Sequence, residues 1–324
     1  RDRGERPAPS AFEGSGSMST LASTLPEARS RSGLRLADGR VLPVATVLLV
    51  FLVVWYAAAV RLNAPQLIDR YEREQVAWSW PQLVADAWAM ERPVLPAPHQ
   101  ILVELDRTVL GTAVTSRRSL VYHAWVTLSS AALGFALGTL LGIVLAIGIV
   151  HVRTLDRSLM PWIVASQTIP ILAIAPMIIV VLAAVGITGL LPKALISTYL
   201  CFFPVAIGMV KGLRSPEPLQ LDLMRTWNAT PSQVLRQLRW PASLPFLFAG
   251  LKVAVAISIV GAIVGELPTG AQAGLGARLL TGSYYGQTIQ IWAALVMASV
   301  LAACLVGLVG LVQRLVSRRM GAEP

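Results

Sequence analysis

Any chemistry in this chain has to come from few groups. Histidine occurs three times, as His99, His123 and His151, and cysteine twice, as Cys201 and Cys304. A hydrolytic or metal centre built on three imidazoles needs them together. The apolar runs described below put His151 on the opposite side of a membrane from the other two. Both cysteines lie inside apolar runs and read as small core residues of helices, not as a disulfide or a metal pair. No Gly-x4-Gly-Lys-Ser/Thr run occurs, so ATP has no phosphate cradle of that kind here. No catalytic residue, metal or cofactor is therefore expected. The remaining polar groups stand in or beside apolar runs, where they are costly and often functional. Gln167 and Thr168 sit just ahead of Pro170. A proline there frees a backbone carbonyl, and irregular backbone at membrane depth is tolerated where it lines a cavity or is buried in protein. Gln167, Thr168 and Pro170 are thus candidates to line a polar path, with interhelical hydrogen bonding as the competing reading; Ser197, Thr198 and Tyr199 rank below them. Lys252 can snorkel or touch a neighbouring loop. Glu266 reads as a gate or as a solvated helix end.

The elements that must position these groups follow from composition. Of 324 residues, 55% are hydrophobic and 14% charged, with a mean hydropathy of +0.65. A soluble domain carries roughly a quarter charged residues. A disordered protein, a disulfide-stapled secreted domain and an ordinary cytosolic enzyme are excluded. The net charge of +10 invites a nucleic-acid partner, but the arginines are spread between apolar runs, the pattern of cationic membrane loops, so no nucleic acid is expected. Six runs approach the ~20 residues of a spanning helix: 41–60, 124–150, 159–185 (punctuated by Pro161, Pro170 and Pro176), about 190–210, 244–264 and 289–312. The expectation is an all-α integral membrane protein of six transmembrane helices. Its parts would be a disordered tail over 1–40, a first transmembrane helix and external segment over 41–123, a five-helix core over 124–316 and a cytoplasmic tail over 317–324. Residues 1–17, ahead of Met18 and ending in Gly14-Ser15-Gly16-Ser17, read as upstream or introduced sequence. No cleavable signal peptide is expected.

Orientation follows from the short loops. Arg153, Arg157, Lys211, Arg214, Arg225, Arg236, Arg239, Arg314, Arg318 and Arg319 fall on one face, against Lys193 and Arg278 on the other. This bias places both termini in the cytoplasm. Residues 61–123, with seven arginines and seven acids, are then external and neutral; Trp78, Trp80, Trp88 and Trp125 suit an interfacial belt. Gly134, Gly138, Gly142 and Ala146 put small residues on one helical face, and Gly261 and Gly265 repeat the spacing, which suits close packing within one subunit or between two.

The stretch from Lys211 to Pro241 is longer than a turn needs. Ser215-Pro216-Glu217-Pro218 reads as a helix start capped by Ser215, followed by a helix over 219–227. Asn228 suits a left-handed stop. Thr230-Pro231-Ser232-Gln233 is a capping box opening a second helix to about Leu238, which Pro241 closes. Such a capped helix–turn–helix is a docking element or an amphipathic linker on the lipid surface.

These residues resemble the cytoplasmic EAA loop of ABC-importer permeases, which reads Glu-Ala-Ala, three residues, Gly, nine residues, Ile-x-Leu-Pro. Asp222 stands for the Glu, Leu223 and Met224 for the alanines, Asn228 (followed by Ala229) for the Gly, Leu238 for the Ile, Trp240 for the Leu and Pro241 for the Pro. From about Leu95 onward further stretches resemble the nitrate/sulfonate/taurine branch: Leu95-Pro96-Ala97-Pro98, the prolines at 161, 170 and 176, Phe248-Ala249-Gly250-Leu251-Lys252, and Glu266 followed by Gly274-Leu275-Gly276. The resemblance implies a type I ABC importer permease fold in a bacterial inner membrane. It implies a dimer with a second permease copy, coupling through Asp222, Leu223, Met224, Asn228, Ala229, Leu238 and Pro241 to two cytoplasmic ATP-binding subunits, and delivery by an external substrate-binding protein; a contact with that protein is then a third reading of Glu266, beside a gate and a solvated helix end. The chain would be a transporter subunit for a sulfonate, nitrate, taurine, bicarbonate or pyrimidine precursor, not an enzyme. An ion-coupled secondary transporter is the alternative. It would be expected to show an intramembrane acid or an inverted repeat, and Glu266, at the edge of its run, is the only acidic candidate.

Overall fold

A computed structural model describes residues 41–268 and 273–320. The expected tail over 1–40 and the last residues of the expected tail over 317–324 lie outside the described residues. The chain divides into two compact units, 1–50 and 51–324. The described part of the first is the start of helix α1 (Val41–Glu74), exposed along 42–50.

Among the described residues every regular element is helical. After α1 come α2 (Trp80–Ala89), α3 (Pro98–Val109), α4 (Leu120–His151), α5 (Arg153–Ser166), α6 (Ile171–Ala184), α7 (Leu190–Leu213), α8 (Pro218–Thr226), α9 (Pro231–Val234), a π turn (Leu235–Arg239), α10 (Trp240–Glu266), α11 (Leu275–Tyr284) and α12 (Thr288–Arg319). Among the described residues five helices are long and apolar enough to cross a membrane, and the pair α5–α6, bent by 100°, makes a sixth if it counts as one span. The third expected span is therefore not a straight rod. Pro161 and Pro176 are absorbed inside α5 and α6, and the break falls at 167–170, where Pro170 is the N-cap of α6. A proline has no N–H to donate and forces its predecessor out of the helical region, which suits a helix start. The first span also runs on, as helix, to Glu74, and α12 carries the helix through Arg319.

The core is a sandwich of α4, α7 and α10. The small-residue stripe of α4 faces α7: a Cβ on Gly138 would stand 2.7 Å from the Cβ of Cys201, and one on Gly142 would stand 2.8 Å from the carbonyl oxygen of Phe202. Gly261 of α10 meets the other side of α7, with its Cβ position 2.7 Å from the Cα of Ser197. Of the two readings open for this spacing, the structure uses the stripe for packing within one chain. Ser197 Oγ donates to the Ser258 carbonyl at 3.0 Å and the Cys201 thiol points to the Ala254 carbonyl at 3.1 Å, tying α7 to α10. Cys304 is exposed on α12, so only one of the two cysteines is a core residue. Lys252 has its Cε 3.7 Å from where a Cβ on Gly310 of α12 would stand.

Residues 61–123 are built, not a loose loop. Asn63, fully buried, donates from Nδ2 to the Ala87 and Leu95 carbonyls at 3.1 and 3.0 Å. Its Oδ1 accepts from the Val94 and Leu95 N–H groups at 2.8 and 3.2 Å. One amide thereby holds α1, the end of α2 and the Leu95-Pro96 corner. Trp55 donates to the Pro96 carbonyl at 3.0 Å and its ring lies 4.9 Å from that of Trp292. Tyr71 donates to Asp86 across the α1–α2 hairpin.

Candidate functional site

The stretch after α7 forms the capped loop, with two differences from expectation. Ser215 does not cap α8. Its hydroxyl donates back to the Gly212 carbonyl at 2.7 Å, and the cap passes to Glu217, whose N–H donates to Gln220 Oε1 at 3.1 Å. At the far end α8 stops as the sequence expects. Asn228 has φ +53, its N–H donates to the Arg225 carbonyl at 2.9 Å, and the Ala229 N–H reaches the Met224 carbonyl at 3.0 Å. That pair of bonds around a left-handed residue is the Schellman helix stop. Thr230 then caps α9, and Gln233 Oε1 accepts from the Thr230 N–H at 2.7 Å.

The second difference is Pro241. It does not close the second helix, which continues through the π turn into α10 as one helix from Pro231 to Glu266. In the π turn the Trp240 N–H bonds five residues back, to Leu235. The wider turn lies directly ahead of Pro241, whose ring would otherwise press on the carbonyl four residues before it. Leu238 and Pro241 are half-buried in this continuous element.

The two residues that replace the alanines part company. Met224 turns inward, 9% exposed, while Leu223 turns outward, 52% exposed. With Leu219 at 77% and Trp227 at 73%, Leu223 forms an apolar stripe at i, i+4 and i+8, one face of α8. The Leu219 and Trp227 contributions escaped the sequence reading, although the spacing was there to be counted. Asp222 is also exposed, paired with Arg225 at 2.9 Å. The loop is rooted in the bundle: Arg214 pairs with Asp156 of α5 at 2.9 Å, and Arg239 donates to the Leu213 carbonyl at 3.5 Å.

The α5–α6 break presents Gln167, Thr168 and Pro170, all exposed. Thr168 Oγ1 donates to the Ala165 carbonyl at 2.8 Å and Gln167 Nε2 reaches Ser166 Oγ at 3.3 Å, so both side chains fold over the end of α5. Tyr199 donates to the Ser166 carbonyl, tying that end to α7. Thr198 donates to the Ala194 carbonyl at 2.8 Å, so it too is engaged by backbone.

Glu266 is elsewhere and is not a solvated helix end. It is fully buried. Thr127 Oγ1 donates to its two oxygens at 3.0 and 3.1 Å, and the Gly276 N–H donates to Oε2 at 2.8 Å. Thr127 Oγ1 in turn accepts from the Leu275 N–H at 2.8 Å. His123 completes the knot: its Nδ1 accepts from the Gly274 N–H at 3.0 Å, which leaves Nε2–H to donate to the Arg117 carbonyl at 2.9 Å and makes the ring a neutral imidazole. Gly274 has φ +123, and a Cβ there would fall on the Glu266 carboxyl group. The Gly-Leu-Gly stretch is thus the backbone socket of a buried carboxylate that joins α4, α10 and α11.

Five helices long and apolar enough to cross a membrane, and a bent pair that could make a sixth, give the described residues the build of a multi-pass membrane protein. Comparison with known proteins makes this specific. Residues 138–322 match the family of binding-protein-dependent transport system inner membrane components, and the chain belongs to that family. It is 32% identical over 224 residues to a probable ABC transporter permease protein of Haemophilus influenzae, covering 69% of this chain and 86% of that one. It is 34% identical to a riboflavin transport system permease protein of Chloroflexus aurantiacus over 60% of this chain and 71% of the relative. Permeases named for formylaminopyrimidine, aliphatic sulfonates and nitrate also match, at 33%, 25% and 24% identity. The fold is similar to that of the MetNI methionine ABC transporter in inward-facing conformations, with a TM-score of 0.52 at 20% identity, covering 62% of this chain and 95% of that one. The chain is an ABC-importer permease subunit of multi-pass inner-membrane type. It is not an enzyme, and ATP hydrolysis lies on a partner.

Proposed function

We propose that this chain is the translocating subunit of an importer for a small organic or inorganic solute, working as a pair of permease copies. Two ATP-binding subunits would dock on the 216–240 loop, and an external substrate-binding protein would deliver the solute. Both termini would be cytoplasmic, as the loop cations argue. The observation that carries the reading is the outward stripe of Leu219, Leu223 and Trp227, held on a helix stopped at both ends. Large apolar side chains in water are costly to leave uncovered at about 25 cal/mol per Å², and a groove on an ATPase would cover them. Met224, Asn228, Ala229, Leu238 and Pro241 would shape and root the loop, with Asp222 at its rim. The Arg214–Asp156 pair would pass its movement to α5 and so to the break at Gln167, Thr168 and Pro170, the proposed lining of the path. The relatives' names favour a riboflavin, pyrimidine, sulfonate or nitrate type of solute.

The docking reading is tested on α8. Leu223→Asp combined with Trp227→Asp is expected to reduce co-purification of the ATPase and solute-stimulated hydrolysis at least tenfold, because desolvated apolar anchors dominate such interfaces. Amounts of inserted, monodisperse permease should be unchanged, since both side chains are exposed. Unaltered hydrolysis would sink the docking role. The path reading is tested with Thr168→Cys on a Cys201→Ala, Cys304→Ala background. A small water-soluble thiol reagent should label it in at least one nucleotide state, and the rate should change between states. A thiol inert in every state would move the path elsewhere.

A further inference from the structure

A second polar site lies at the end of α10 opposite the capped loop. There α3, the segment after it, α11 and the start of α12 line an open cavity of about 600 Å³. Arg107, Arg118 and Arg278 line it, against a single carboxylate, Glu104. Three guanidinium groups and one carboxylate leave a local excess of two positive charges.

The hydrogen-bond inventory tells what the cavity lacks. Its threonine hydroxyl protons are already used: Thr108 donates to the Glu104 carbonyl at 2.6 Å, Thr112 to the Arg107 carbonyl at 2.9 Å and Thr281 to the Ala277 carbonyl at 2.8 Å. Its strong donors are not. Arg107 has only a 3.9 Å approach to Glu104. The Nε of Arg278 is buried and has no hydrogen-bond partner among the described residues. Gln287, the N-cap of α12, and Gln290, in its first turn, line the same space. Burial lowers the proton affinity of Arg278, with Glu104 acting the other way. A buried N–H without an acceptor is costly and uncommon. The positive end of a helix dipole, which favours an anion, adds to the same field. A planar guanidinium set of this kind matches phosphate oxygens. The depth fits too: Trp292, two residues beyond Gln290 and packed on Trp55, is of the residue type that settles at the membrane–water boundary.

We propose that this cavity is a binding site for a phosphate group, held by Arg107, Arg118 and Arg278. The group belongs either to an anionic phospholipid headgroup entering from the boundary or to a soluble phosphate. The site is separate from the α5–α6 break and does not depend on which solute is carried.

The test uses the intact chain, stripped of lipid in neutral detergent, with unfolding followed by tryptophan fluorescence. Dioctanoyl phosphatidylglycerol, dioctanoyl phosphatidylcholine and inorganic phosphate are titrated separately, with chloride at matched ionic strength. A saturable rise in the midpoint with phosphatidylglycerol alone assigns the site to a lipid headgroup, and one with inorganic phosphate assigns it to soluble phosphate. In either case Arg278→Gln is expected to weaken the apparent affinity by about tenfold or more, from the loss of one charged hydrogen-bonding partner. Arg107→Gln with Arg118→Gln, both outside the spanning helices, should do the same and keeps the question open to measurement if Arg278→Gln does not fold. The proposal is overturned if neither probe gives a saturable shift beyond chloride and phosphatidylcholine. A shift untouched by the substitutions overturns it equally.

Discussion

Gly142→Ala is expected to unfold the bundle at markedly lower temperature than the parent chain, while Gly307→Ala is expected to leave it unchanged or slightly firmer. Both changes add one methyl to a long apolar helix, and both improve helix propensity by up to about 1 kcal/mol. At Gly142 the new carbon lands 2.8 Å from the Phe202 carbonyl oxygen and 2.9 Å from the Val205 Cβ, so α4 and α7 must separate. Overpacking of this kind costs about 1–3 kcal/mol and more when backbone has to move. At Gly307 nothing lies within 4 Å. Fluorescence-detected size exclusion after a heating series compares the two directly. Equal midpoints would mean that the α4–α7 contact is looser than described.

Glu266→Leu should be the most damaging single change near α11. It strands the Gly276 N–H and the Thr127 hydroxyl in a dry interior, at about 1–3 kcal/mol for each donor left without an acceptor. Glu266→Gln keeps one acceptor oxygen and should lose less. Gly274→Ala should resemble Glu266→Leu in size, because φ +123 is strained for any residue with a Cβ and that Cβ meets the carboxyl group. The readout is the same thermal series together with solute uptake. If Glu266→Leu were as stable as the parent, the buried carboxylate would not be what holds α11 to α4 and α10.

Local chemistry made much of the 215–241 loop readable. Thr230 and Gln233 cap where a capping box should, and Asn228 takes the left-handed turn its type allows. Ser215 misled because a hydroxyl can equally well bond back to its own helix, and here the Gly212 carbonyl was nearer. Pro241 misled because its usual penalty is relieved by a π turn, which no short-range pattern announces. The apolar runs gave the spans, but hydropathy is blind to where a polar helix ends, so the extension of α1 to Glu74 was missed. The Glu266 socket was out of reach for another reason. Its partners Thr127 and Gly276 stand on different helices, and Thr127 is 139 residues away in the chain. The chain shows Glu266 and Gly274-Leu275-Gly276 as neighbours, but nothing in a sequence pattern brings Thr127 to them.

Those separations bear on the order in which the chain assembles. The Asn63 clamp joins residues at most 32 positions apart, so it is complete as soon as Leu95 has emerged. The α4–α7–α10 sandwich and the Glu266 socket must wait for the last third of the chain. Local contacts form before distant ones because closing a long loop costs more entropy. During synthesis the α1–α2 hairpin, pinned to Leu95 by Asn63, is therefore complete first, whereas α3 must wait for α4 and for α12, the last helix made. An Asn63→Leu chain should accordingly fail early, with protease cleavage within 75–97 in truncated nascent chains, before α4 is made.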